Sequence, residues 1–583
     1  RSTALGYAAL QVQNFTSATD TYNTAVGFHA GYQISTGTSN TVVGGLSGDA
    51  ITTGAQNTAV GRSSGGALTT GNNNTLLGYN AGGDLTTAGS NVLVGAYSGD
   101  ALTTGETNIA VGYAALSNDL KGYRSVAIGH EALTAQQFGS TTNAYNVAVG
   151  YIAGHDITTG KENVLIGGLA GDVLTDSDRN VAVGYAALSD ETLGQYSTAV
   201  GWQALLSQAN SSAANVYNTA VGYSAGSSVT TGQANTLIGG AAGDAITTGD
   251  SATAVGYNAL GAMTTGGSNT AVGDTALSAC TTGNTNTAVG RRALRYVTVG
   301  DRNTAMGFAA LENFNPASNA DTYNTAFGYN VLTACTTGLR NVAMGGQAGE
   351  ALTTGDNNTA LGYGALYLST TGSNNTSVGV YTLGNADVTG SLNTALGYAA
   401  GYSLTSGQNN LFLGRDAGRT GSPGGQITTA NHRIVLGDAN ISDAHIQVDW
   451  TVASDERDKT DFAALDLGLD FVKALEPLTY KWDKRSKYGD KNAEDYDLAD
   501  QTPDGTHKED WLDIGFKAQA VEALEIAAGY TKETNTNLVS SHSDDGKQMG
   551  LQYSKFVPIL VKAIQEQQAL IDSLTARIET LEG

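Results

Sequence analysis

The sequence predicts a mainly β protein: an elongated parallel β-solenoid, or β-roll, of 24 repeats, followed by a small α+β domain that ends in a coiled coil. Three observations predict it. A phrase of the type Asn-Thr-Ala-Val-Gly returns 24 times up to Gly414, usually with a period of seventeen, as from Asn40 to Asn57 to Asn74, and its glycine never changes. Residues 1–453 hold 14 Lys+Arg and 27 Asp+Glu, whereas the much shorter stretch 454–583 holds nearly as many, 15 and 26. The C-terminal end of the chain repeats apolar side chains at spacings of 3 and 4. A short fixed period means one small unit stacked many times, because no single unit can bury its own apolar face.

With the first residue of the phrase as place zero, the series runs from Ser2, Asn23 and Asn40 to Asn393 and Asn410. The glycine at place four, Gly6 through Gly414, implies a positive φ or a backbone approached too closely for a Cβ. An apolar residue precedes it in every copy, as in Val26, Val60, Ile128, Met306 and Leu413, and Ala usually precedes that, as in Ala25, Ala59 and Ala110. Neighbouring strand residues point to opposite faces. The Val side and the Ala/Gly side are therefore both expected to be covered, the small-residue side by another copy of the chain, or left as a narrow exposed face of a flat solenoid.

The remainder of each unit reads as a turn and a second short strand, as in Gly256 to Leu260 followed by Thr264-Thr265-Gly266. The period lengthens from seventeen to twenty-one before Asn23, Asn146, Asn218 and Asn324, each of which follows a tyrosine: Tyr22, Tyr145, Tyr217 and Tyr323. Such extensions map to loops on one side of a solenoid, read here as tolerated surface loops that alternatively carry receptor contacts. Asp49, Asp100, Asp172 and Asp244 recur at one place and read as a solvated acidic row, not as a paired acid and base for glycan cleavage. The aromatic that often follows the glycine (Tyr7, Tyr79, Tyr113, Tyr151, Trp202, Tyr257) reads as packing before sugar platform. If each repeat rises by one strand spacing of about 4.8 Å, 24 of them give roughly 115 Å.

The domains expected are a repeat shaft over 1–418, a cap and linker over 419–453, a compact domain over 454–552, and a coiled coil over 553–583. The linker contains the loop Gly421 to Gly425 and a last degenerate repeat, Ile434-Val435-Leu436-Gly437. Net charges of −13 and −11 on the two sides of residue 454 argue against nucleic acid or anionic lipid as partners. No apolar run is long enough for membrane insertion and no leader precedes Arg1, while a start inside a repeat suggests a fragment or a processed product. Cys280 and Cys335 sit at equivalent places three repeats apart, too far to bridge, and read as buried small hydrophobes. No cofactor or metal site is expected.

One constellation carries chemistry. Ser454-Asp455-Glu456-Arg457-Asp458-Lys459 opens the charged segment, and a lysine that loses its proton can serve as base for a serine nucleophile. From Ser454 onward the chain resembles the intramolecular chaperone domain of phage endosialidases and tail spikes, the S74 peptidase family. The matching stretches are Ser454 to Lys459, Ala474 to Trp482, Ile514 to Gln519 and Leu551 to Ile564. The resemblance implies a folding helper that assembles three chains and then cuts itself off before the motif serine. It gives Ser454 as nucleophile, Lys459 as base, Asp455 and Arg457 as supporting residues, and Ala453–Ser454 as the scissile bond. Glu456 and Asp458 depart from a neutral surrounding; they favour the charged ammonium of Lys459 and would slow the cut, and a retained chaperone role without cleavage is the alternative.

A removable aligner suits the rod, because identical repeats offer many wrong registers of similar energy. Ile564, Ile571, Leu574, Ile578 and Leu581 form the seam expected to align the chains, interrupted by Gln567. Ile at a with Leu at d leans toward two strands in isolated coiled coils, so the homotrimer follows from the resemblance. The repeats also resemble the heads of trimeric bacterial adhesins, which form a left-handed parallel β-roll.

The function these readings favour is a structural tail fibre or spike of a bacteriophage virion, extracellular once assembled. Its partners would be two further copies of itself, other virion tail proteins and a host surface receptor such as a glycan. At most it is a single-turnover self-cleaving peptidase with no external substrate. The alternatives are a bacterial trimeric surface adhesin, disfavoured by the absence of anchor strands after the coiled coil, a glycan-degrading spike, and an ice-binding solenoid suggested by the recurrent Thr-Thr-Gly.

Overall fold

In the computed structural model, the chain divides into two compact units, Arg1–Thr337 and Gly338–Gly583. The structure describes residues 1–583 except 319, 449, 491, 492, 494 and 532–537. Both units carry turns of a parallel β-solenoid, about 24 in all, and the second also carries the small C-terminal domain. Each turn contributes one short strand, from Thr3–Leu5 onward, and successive strands within a unit pair in parallel without any offset. Thr236, Leu237 and Ile238, for instance, lie against Thr253, Ala254 and Val255.

The glycine at place four meets both expectations. Gly27 and Gly61 have φ of +136° and +135°, and a Cβ on either would lie 2.6 or 2.2 Å from the carbonyl oxygen of the same glycine one turn on. No other residue fits a backbone that stacks so closely.

Which face is the core reverses the expectation. Ala25, Ala59 and Ala110 are fully buried, while the Val side is partly open, Val221 and Ile238 being 36 and 39% exposed. The alanine face points into the coil because so short a turn encloses only a narrow interior, already filled by apolar side chains at places eight and eleven. Leu260 and Met263 show this in one turn.

Volume in that interior is shared between neighbouring turns. Where place two carries a large residue in place of Ala, the turn before and the turn itself both have glycine at place eight. A Cβ on Gly226 would meet Cδ1 of Leu237 at 2.6 Å, and one on Gly243 would meet Cδ2 at 2.8 Å. Leu165 stands likewise between Gly154 and Gly171, and Phe412 between Gly401 and Gly418. Close packing leaves no slack for both residues to be large.

The asparagine at place zero is buried and holds the coil from inside. Oδ1 of Asn40 accepts the backbone N–H of Asn57 at 3.0 Å, and Nδ2 of Asn40 donates to the Gly54 carbonyl at 2.8 Å. Each link satisfies two buried backbone groups, worth about 1 kcal/mol apiece. Ser125 and Ser197 are too short for this, and Gln136 and Gln208 complete the relay. Each glutamine donates to its serine (3.1 and 2.9 Å) and accepts from the next asparagine, Asn146 or Asn218, at 2.9 Å.

The expected second strand is missing from most of the described turns, the short pair Gly122–Tyr123 with Thr142–Asn143 being the exception. Residues such as Asn258 and Leu260 adopt φ of +52° and +55°, and these left-handed corners bend the chain before a strand can extend. Stacking persists through single bonds, as from Thr264 N to Thr281 O at 2.9 Å. The extended turns are tied down. Gly122–Tyr123 pairs with Thr142–Asn143, and Arg124 donates to the hydroxyl of Tyr145 at 2.7 Å. The aspartates of the acidic row are not simply solvated: burial pushes the carboxyls of Asp49, Asp100, Asp172 and Asp244 above their ordinary value. Cys280 and Cys335 are buried and outside any disulfide, and burial pushes the Cys280 thiol up to about 12.

In the second unit the solenoid ends with the strand Ile434–Leu436. The C-terminal domain packs helices α1 (Leu469–Ala474), α2 (Ala518–Ala527) and the start of α3 (Phe556–Glu582) around Leu467, Phe471, Val521, Val539, Phe556 and Ile559. Two antiparallel pairs complete it, Leu478–Tyr480 with Asp513–Gly515 and Ser540–His542 with Met549–Leu551. Only the first part of α3 is buried. Ile564, Ile571, Leu574, Ile578 and Leu581 are all exposed, by 47 to 84%.

Candidate functional site

Asp455 organises the start of the charged segment. Its carboxylate accepts the backbone N–H of Arg457 at 2.9 Å and so caps the single 3-10 turn Glu456–Asp458. The Arg457 guanidinium closes on the same carboxylate at 2.6 Å, and this hydrogen bond holds the Asp455 carboxyl below its ordinary value. At the other end of the turn, Lys459 N–H donates to the Glu456 carbonyl at 3.1 Å. One turn thus folds the chain back on itself, and Nζ of Lys459 comes within 2.6 Å of Oγ of Ser454 and 3.2 Å of its carbonyl oxygen.

The structure therefore brings together four of the residues that the sequence singles out: Ser454, Asp455, Arg457 and Lys459. Among the described residues Lys459 contacts no carboxylate within 4 Å, so Glu456 and Asp458 do not pair with it. The contact has the geometry of a nucleophile and its base. As an ammonium, Lys459 donates to Oγ; as a neutral amine it accepts the hydroxyl proton. Residues 451–464 are exposed, and among the described residues no backbone N–H donates to the Ala453 carbonyl. In the single chain the pair thus stands without a hydrogen-bond donor for a developing oxyanion.

The seam residues Ile564, Ile571, Leu574, Ile578 and Leu581 lie far along α3 in sequence and take no part in this constellation.

Sequence reasoning missed how the domain holds the solenoid's last turn. Arg433, in that turn, donates to both carboxylate oxygens of Asp544 at 2.8 and 3.2 Å, and Asp545 accepts the backbone N–H of Gln426 at 3.0 Å. It also missed Glu525, fully buried on α2, whose carboxylate accepts the N–H groups of Leu538, Val539 and Ser540 at 2.5 to 3.0 Å. Neither has a spacing signature, since the partners lie far apart in sequence or across a loop. Among the described residues no group of His, Cys, Asp and Glu is arranged to hold a metal ion.

Residues 454–530 match the family Peptidase_S74, described as the chaperone of endosialidase. The matched segment begins at Ser454 itself, the first residue of the dyad. A search of curated proteins finds no match to the chain. Among the described residues no helix is long and apolar enough to cross a membrane.

Proposed function

We propose that this chain is the trimeric fibre or spike of a bacteriophage tail, a virion protein for host attachment, assembled by its C-terminal domain, which then removes itself by cutting Ala453–Ser454. The observation that carries the reading is the coincidence of three boundaries. The family match starts at Ser454, the Ser454–Lys459 contact closes at that residue, and the stacked strands end shortly before it.

The chemistry balances within the chain and one water. Neutral Lys459 takes the hydroxyl proton of Ser454 as Oγ attacks the Ala453 carbonyl carbon. The C–N bond breaks, Lys459 returns the proton to the Ser454 nitrogen, and an ester joins Ala453 to Oγ. Water hydrolyses the ester and frees the two pieces. Arg457 and Asp455 act as positioning residues, since they shape the turn without touching the reacting atoms. The exposed seam of α3, and Trp511, Leu512 and Ile514 at 50, 67 and 76% exposure, support association of several copies before the cut. Grasp of the last turn by Asp544 and Asp545 supports alignment of the chains at one end, where the register of identical repeats must be set.

The test compares the full chain with one ending at Ala453. The full chain should yield a soluble trimer by sedimentation, and the shortened chain should aggregate or misassemble. A soluble, correctly sized trimer from the shortened chain would remove the assembly role from residues 454–583.

A further inference from the structure

The strand faces that point away from the solenoid interior form an uncovered stripe. Place three is apolar in every repeat, yet Val221 and Ile238 are 36 and 39% exposed, although each lies in the middle of a run of paired strands. Two residues further along, at the place that is aromatic in about half of the turns, the side chains are more open still. In the unit Arg1–Thr337, ten aromatic residues at this place are exposed by 41 to 74%, Tyr7, Tyr151, Trp202 and Tyr257 among them. An aromatic side chain presents some 150–250 Å² when fully buried, so ten that are about half open leave roughly 1,000 Å² of ring surface in contact with water. Summed along the unit, and with the apolar place three beside it, this is of the order of the ~800 Å² each partner buries in a specific complex.

The occupant follows from the pitch. Thr219 faces Thr236 and then Thr253, Val221 faces Ile238 and then Val255, with no slip between turns, so the stripe repeats at one strand spacing of about 4.8 Å. A surface that covers it along its length must repeat at that same spacing. A sugar chain or a globular receptor would match only a few turns, whereas another copy of this chain in register matches all of them. The alanine face, buried within each coil, is no longer available for this contact.

We infer that the copies of this chain pack along the outer Val and aromatic columns of their solenoids, with the extended turns and their Arg–Tyr pairs left outside. This rests on the trimer proposed above and adds which face is shared. The test is thiol accessibility in the full chain, with Ile238→Cys on the stripe and Gln233→Cys at the end of the turn before, a residue that is also exposed in the single chain. The native thiols Cys280 and Cys335 are buried and stay silent. In the assembled protein a bulky maleimide should label Ile238→Cys at least tenfold more slowly than Gln233→Cys, and the two rates should converge once denaturant separates the chains. Should Ile238→Cys fail to assemble, Val255→Cys occupies the same column one turn on and serves instead. Equal rates in a protein that sediments as a trimer would overturn the face and leave the trimer standing, as expected if the stripe were a receptor or glycan platform. A protein that sediments as a monomer would overturn both.

Discussion

Cδ1 of Leu237 fills the space in which a side chain on Gly226 would begin: a Cβ there would stand 2.6 Å away. The two positions belong to successive turns, so the core is built by exchange of volume along the stack. Leu237→Ala should leave a cavity and cost about 2–5 kcal/mol. Gly226→Leu alone should also destabilise, by overpacking. Together they should recover most of the loss, since leucine already occupies the equivalent place with φ of +50° and +55° at Leu205 and Leu260. Denaturant midpoints of the four proteins check this, and strictly additive losses would contradict it.

The two parts of the chain should respond to acid in opposite ways. Burial raises the carboxyls of Asp49, Asp100, Asp119, Asp172 and Asp244 above their ordinary value near 3.8. Such groups take up protons on folding, so their penalty at neutral pH disappears as pH falls through the raised values toward 3.8. In the C-terminal domain the sign is reversed. The backbone N–H of Ala499 and the Lys547 ammonium lower Asp497, and the backbone N–H of Ile514 and the Trp482 indole lower Asp513. Their contribution is present above 3.8 and is lost as pH falls through the lowered values. As pH falls below 3.8 through the lowered values, tryptophan fluorescence from Trp482 and Trp511 should report unfolding while the β circular dichroism persists. Loss of both signals at one pH would contradict this.

Lys459→Arg should abolish cleavage and leave assembly intact. Arginine keeps its charge at any working pH and cannot accept the Ser454 proton, although it can still donate to Oγ. A cut at the wild-type rate in Lys459→Arg would exclude lysine as the base.

Much of this was legible in the sequence. The invariant glycine announced both its φ and the closeness of the next turn, because no other residue satisfies both. The pair Ser454 and Lys459 was legible through the resemblance of the segment to the S74 family, since a serine five residues before a lysine carries little by itself; the local turn that brings the two together shows in the structure alone. The inner face was misread, since Val is the bulkier residue of the strand and bulk alone suggested the core; coil diameter, which excludes it, is not a property of one strand. The compensations were visible in principle. Ser2, Ser125 and Ser197 are each followed by a glutamine at place eleven, and glycine replaces leucine at place eight around Leu165 and Leu237. Arg433 with Asp544, far apart in the chain, left no such trace.

Self-cleavage turns on one bond, Ala453–Ser454, and the N-terminus of the small fragment reads it. The purified full chain, incubated without added protease, should separate into a large piece ending at Ala453 and a small piece whose N-terminal sequence is Ser-Asp-Glu-Arg-Asp-Lys. Ser454→Ala should give only the intact chain, still assembled. A fragment that begins anywhere other than Ser454, or the same fragment from Ser454→Ala, would contradict the mechanism.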